Sequence, residues 1–129
     1  MGIVYVVQEP VKKDRMTGRM VSAFDLTPAT QFGELQFLLP PGKIMLTPAP
    51  TIQALRSGLR NYSDDDYLLP TGDPVSIMAA GSIAAEYNRG NVAILKWDQR
   101  HQLYQVVRFN LYGRPYEAMP VKNDARALP

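Results

Sequence analysis

From Glu34 to Trp97 the apolar pattern switches repeatedly between short strand-like runs and longer stripes of helical spacing. That alternation constrains the chain more than any other feature, because strands joined by helix-length connections pair in parallel. Glu34 to Leu39 reads as a strand closed by Pro40-Pro41-Gly42. Pro48-Ala-Pro50 opens a helix, since Pro is tolerated in the first turn. Ile52, Leu55, Leu59 and Tyr62 then recur at spacings of three, four and three, with Gln53, Arg56, Ser57 and Arg60 on other faces. Tyr67-Leu-Leu-Pro70 is the next strand. Asp73 is a strong N-cap with Pro74 in the first helical position, and the helix runs to Tyr87. Val75, Ile77, Met78, Ala79, Ala80, Ile83, Ala84 and Ala85 make it apolar on nearly every side, so it is expected to be largely buried. Val92-Ala-Ile-Leu95 is an unbroken apolar run, the mark of a strand covered on both faces.

The flanks complete the element order. Ile3 to Val7 is β-branched and aromatic and predicts a buried strand. Pro10 to Leu26 is polar, and Asp14-Arg-Met-Thr-Gly18 suits a turn ending in a left-handed Gly, so a mobile hairpin or loop is expected there. Lys12, Lys13, Arg15 and Arg19 would crowd its tip. Thr27-Pro28 resembles an N-cap and first helical position, and Gly33 a stop, leaving room for one short turn. Leu103, Val107, Phe109 and Leu111 share one face of a last strand with Gln105, and the short turn before it forces an antiparallel hairpin. The reading is an α/β domain over residues 1–112. Its mostly parallel sheet has four to five strands, with two main helices in a βαβαβ core and right-handed crossovers. Residues 113–129 read as an extended or disordered tail.

Composition then excludes whole classes of chemistry. The 129 residues contain no Cys and one His, which removes disulfides, thiolate metal sites and cysteine nucleophiles, and argues against His-based triads. No apolar run approaches the ~20 residues that span a bilayer. The first residues lack the pattern of a secretory signal, and Gly2 is not followed by the Ser or Thr of a myristoylation site. Net charge is only +2, yet it is segregated. Residues 1–62 carry seven basic and four acidic groups, residues 63–98 two and six, and residues 99–129 five and two. A basic, acidic, basic layout is one that complementary partner surfaces can read, and equally one that water simply solvates.

In an open parallel sheet, ligands gather at the C-terminal ends of the strands. Leu39 to Lys43, Pro70 to Asp73 and Lys96 to Asp98 should meet there, which makes Thr71, Gly72, Asp73, Lys96 and Asp98 the candidate ligand-binding residues. Thr71-Gly72-Asp73 at a helix N-terminus would offer backbone N–H groups to an anion. It matches no phosphate loop, and Asp73 would repel a phosphate while capping the helix itself, so a structural cap is the simpler reading. Asp64, Asp65 and Asp66 would suit a hard cation by chemistry. They precede their strand and point in different directions, so a solvated loop is expected. His101 lies in a turn with no nucleophile elbow to serve. Trp97, Tyr67, Tyr87, Tyr104, Tyr112 and Tyr116 interleave with Arg100, Arg108 and Arg114, which suits either base stacking or ordinary packing. No catalytic residues, cofactor or metal site are expected.

The passages Tyr5-Val-Val-Gln-Glu-Pro10, Phe24-Asp-Leu-Thr-Pro28, Asp65-Asp-Tyr-Leu-Leu69, Thr71-Gly-Asp-Pro74 and Leu95-Lys-Trp-Asp98 resemble those of small proteins of tailed bacteriophages. The resemblance covers roughly residues 3 to 111. It implies a virus-encoded protein working in the cytoplasm of an infected bacterium, and it implies no activity. The expectation is therefore a non-enzymatic phage accessory protein that binds a host or viral protein through Lys12, Lys13, Arg15, Arg19, Arg100 and Arg114. The alternative is a nucleotide or small-ligand domain using the crevice at the strand ends. Nucleic-acid binding and a structural place in the virion are further readings, and oligomeric state is open.

Overall fold

The computed structural model describes residues 2–41 and 47–115. Five strands form one sheet in the order β4-β1-β5-β6-β7: β4 is Gly33–Leu39, β1 Gly2–Gln8, β5 Tyr67–Leu69, β6 Asn91–Asp98 and β7 Leu103–Asn110. The first four are parallel and β7 pairs antiparallel with β6, giving the expected α/β sheet with its terminal hairpin. The first strand lies in the interior, between β4 and β5. Its Ile-Val-Tyr-Val-Val run suits that place, because a central parallel strand is apolar on both faces.

Two cores follow from the two faces. On one, α1 (Ala49–Gly58), the turn after it and α2 (Pro74–Tyr87) press Leu55, Leu59, Ala80, Ile83 and Ala84 onto Tyr5, Val7, Leu68 and Val92. On the other, the segment around a 3-10 helix (Thr27–Phe32) sets Leu26 and Ala29 on Val4, Val6, Leu69 and Leu95. β6 alternates between them, Val92 and Ile94 to the helices and Leu95 to the opposite side, so both its faces are covered as its sequence predicts.

Several local readings change. Residues 11–22 form a two-stranded ribbon, β2 (Val11–Lys13) with β3 (Met20–Ser22), closed by an Asp14-centred turn in which Gly18 is left-handed. The 3-10 helix has Leu26 at its N-cap, one place before the expected Thr27, because the Asp25 carboxylate accepts from the Thr27 N–H at 2.9 Å. The stripe that begins at Ile52 outlasts its helix: α1 ends at Gly58, yet Leu59 and Tyr62 stay buried in the turns beyond. α2 is less buried than its composition implies. Ser76, Ala80, Ile83, Ala84 and Ala85 face inward, while Val75 and Met78 stand out, Met78 72% exposed, because a helix on a sheet hides only one stripe.

Of the Asp run, only Asp65 is exposed as a solvated loop would have it. Asp66 is buried, accepting from Ile3 N–H at 2.8 Å and Ser63 N–H at 2.9 Å, so it joins the start of β1 to the approach of β5. Asp64 accepts from Asn88 at 2.8 Å and pairs with Arg89 at 3.0 Å.

Candidate functional site

The order in which the chain enters the sheet reverses at β1, so the switch point lies between the C-terminal ends of β1 and β5. A side chain of the protein fills it. Gln8 donates its amide N–H to Pro40 O at 3.0 Å and accepts from the Asp73 backbone N–H at 2.8 Å. Thr71 donates its hydroxyl to Gln8 O at 2.7 Å. Gly72, at φ +112°, passes so close that a side chain there would collide with Gln8. Asp73 meanwhile caps α2 by accepting from Val75 N–H at 3.2 Å.

The open space lies one strand further on. β5 stops at Leu69 while β6 continues to Asp98, and beside that overhang is a cleft of about 830 Å³. Leu69, Pro70 and Thr71 form one wall, Ile94 to Trp97 with Tyr104 and Val107 another, and Phe24, Asp25 and Pro28 a third. Its size falls within the ~300–1,000 Å³ common for ligand pockets, and like them it is mainly apolar with few polar groups. Trp97 and Tyr104 meet edge to face, their ring centres 4.9 Å apart. The Trp97 ring is fixed further by its indole N–H, which donates to Gln99 at 2.9 Å. Phe24 projects beside them, 59% exposed.

Charge in the cleft comes from Asp25 and Lys96. Hydrogen bonds from the Thr27 hydroxyl and backbone hold the Asp25 carboxyl below its ordinary range, so it is ionised at neutral pH. Burial pushes the Tyr104 phenol up, and the Asp25 charge adds to the shift. Tyr104 therefore stays a neutral donor and acceptor beside a fixed negative charge.

Of the residues proposed from sequence, Thr71 and Lys96 both line this cleft. Gly72 and Asp73 lie in the turn at the plugged switch point. Asp98 faces its own hairpin turn, accepting from His101 N–H at 3.1 Å, contacting His101 Nδ1 at 2.8 Å and accepting from Gln105 at 3.2 Å. Lys12, Lys13, Arg15 and Arg19 lie on the β2–β3 ribbon, which leaves the C-terminal end of β1. Arg100 is in the turn after β6, at the same end of the sheet, whereas Arg114 follows β7 at the other end and stacks on Tyr112. Lys43 and the tail from 116 to 129 lie outside the described residues. Among those described, no three His, Cys, Asp or Glu gather where they would hold a metal ion.

Sequence reasoning missed Phe24, Asp25 and Tyr104 as cleft walls. Asp25-Leu-Thr-Pro28 carried the available signal, an Asp two residues before a helix-starting Thr.

No curated protein and no solved structure matches the chain. A family model described as Phage Pam3 gp32-like protein matches residues 2–111, which take in every strand and helix of the fold. The chain belongs to the Phage Pam3 gp32-like protein family.

Proposed function

We propose that this phage protein is a non-enzymatic accessory factor that binds a host or viral protein in the cytoplasm of the infected bacterium. The observation that carries the reading is the aromatic rim of the cleft. Trp97, Tyr104 and Phe24 stand around an apolar cavity at one end of the sheet. Protein interfaces are enriched in such residues, and binding energy concentrates where an anchor side chain fills a desolvated pocket. The basic ribbon supports the same face, because Ser22 at its end leads directly into Phe24 and Asp25 of the cleft wall. Lys12, Lys13, Arg15, Arg19 and Arg100 would steer an acidic partner toward it and raise the association rate.

Tagged protein recovered from infected cells should enrich one stoichiometric protein. Phe24→Asp or Trp97→Asp should abolish that capture, while neutralising Lys12, Lys13, Arg15 and Arg19 should weaken it in a salt-dependent way. Enrichment that survives both cleft variants, or capture of nucleic acid alone, would overturn the reading.

The cleft's volume favours a second reading, a small ligand held between the aromatic rim and Lys96. A ligand at about 100 times its Kd would stabilise the fold by ~2.7 kcal/mol, which a thermal-shift screen of nucleotides and aromatic acids would register. A screen without shifts retires it.

A further inference from the structure

We infer that β7 pairs with β7 of a second copy of this chain, across a two-fold axis at Val107, to make a continuous ten-stranded sheet. Among the described residues β7 has a strand on one side only. Edge strands are ordinarily kept from pairing by Pro, Lys, bulges or shortness. β7 has none of these: it pairs with β6 over eight consecutive rungs, and Arg108 is its one charge.

The backbone is poised for pairing. Leu111 N–H bonds to Gly90 O at 2.7 Å, one rung beyond the Asn91–Asn110 pair. Ala93 N–H turns away from β7, to the Tyr62 hydroxyl at 3.0 Å. Antiparallel rungs alternate, so the odd residues of β7 bond to β6 while Tyr104 and Val106 direct their backbone groups outward.

The side chains identify the occupant. Leu103, Gln105, Val107 and Phe109 share the face that carries Val92 and Ile94, and Leu111 continues it on the next rung. Neither helix covers this end, and the four apolar members are between 38% and 56% exposed. The order Leu, Gln, Val, Phe, Leu is nearly palindromic about Val107. Reversed against itself it sets Val107 on Val107, Leu103 on Leu111 and Gln105 on Phe109, with no like charges directly opposite. Such matching needs the same strand twice, as a two-fold interface provides. A single strand pair is a contact at the small end of specific interfaces, so association is expected to depend on concentration.

Sedimentation of the full chain from about 1 to 200 μM tests this. The expected mass rises from the 14.4 kDa of one chain to twice that value. Val107→Lys, which sets two cations on the axis, should hold the protein monomeric with unchanged circular dichroism. Gln105→Lys, at an exposed polar position, should weaken the dimer without touching the core. A chain that stays monomeric throughout, or a dimer indifferent to both substitutions, overturns the inference.

Discussion

Gln8 is the residue on which the end of the sheet depends. Its carboxamide bonds at once to Pro40 after β4 and to Asp73 at the cap of α2, so one side chain ties three elements together. Gln8→Leu keeps the volume and removes both partners, leaving a carbonyl and an N–H without their bonds in a half-buried place. The expected cost is about 1–3 kcal/mol, read as a lower urea midpoint with an unchanged slope. An unchanged midpoint would mean that water replaces the carboxamide without loss. Nothing in the sequence announces this role, because the bond to Asp73 spans 65 residues and periodicity reports faces, not partners. Tyr62 is similar: its hydroxyl accepts from Ala93 N–H, a contact that the helical stripe alone does not reveal. Asp66 was more accessible. Ser63 three residues earlier is a local partner, and its N–H and hydroxyl both reach the carboxylate.

At the scale of the element, the β6–β7 hairpin shows how a surface carboxylate acquires a structural duty. The His101 side chain first, then the His101 backbone and Gln105, hold the Asp98 carboxyl below its ordinary range. A carboxyl whose pKa is depressed on folding stabilises the native state above its unfolded pKa, and the support disappears as pH falls through the folded pKa. The hairpin should therefore loosen in acid. Asp98→Asn should flatten the fall of melting temperature below about pH 4, and the Trp97 fluorescence change in acid should shrink with it. Identical acid limbs for wild type and variant would show that Asp98 carries none of the dependence. The hairpin, its antiparallel sense and the shared face of Leu103, Val107 and Phe109 were legible, since a short turn and a period of two leave little choice. Which face the helices cover was not. That depends on where α2 lies over the sheet, and the same uncertainty made its exposed Val75 and Met78 look buried.

For the molecule as a whole, the decisive event is the insertion of β1 between β4 and β5, with α1 and α2 on one face and, among the described residues, only a 3-10 segment on the other. The parallel sheet could be read from the alternation of elements. The central place of β1 could not, because a strand buried on both faces looks alike in any interior position. The two faces differ in strength. α1, α2 and the turns after α1 bury Leu55, Leu59, Tyr62, Ala80 and Ile83, whereas residues 23–32 bury only Leu26 and Ala29. Local opening follows the buried contacts that must be broken, so the thin layer should open at far less cost than the sheet. Phe24 and Asp25 belong to that layer, which places one wall of the cleft on a thinly anchored part of the fold. Such a wall would adapt to the proposed partner while β6 carries Trp97 and Lys96 on the other side. Native-state hydrogen exchange in low denaturant measures the difference directly. The amides of Val6 and Leu95 should exchange only with global unfolding, with the full denaturant slope. Those of Ala29 and Thr30 should exchange through a smaller opening with little slope. Equal slopes for both sets would make the layer part of one cooperative unit and the cleft a rigid pocket.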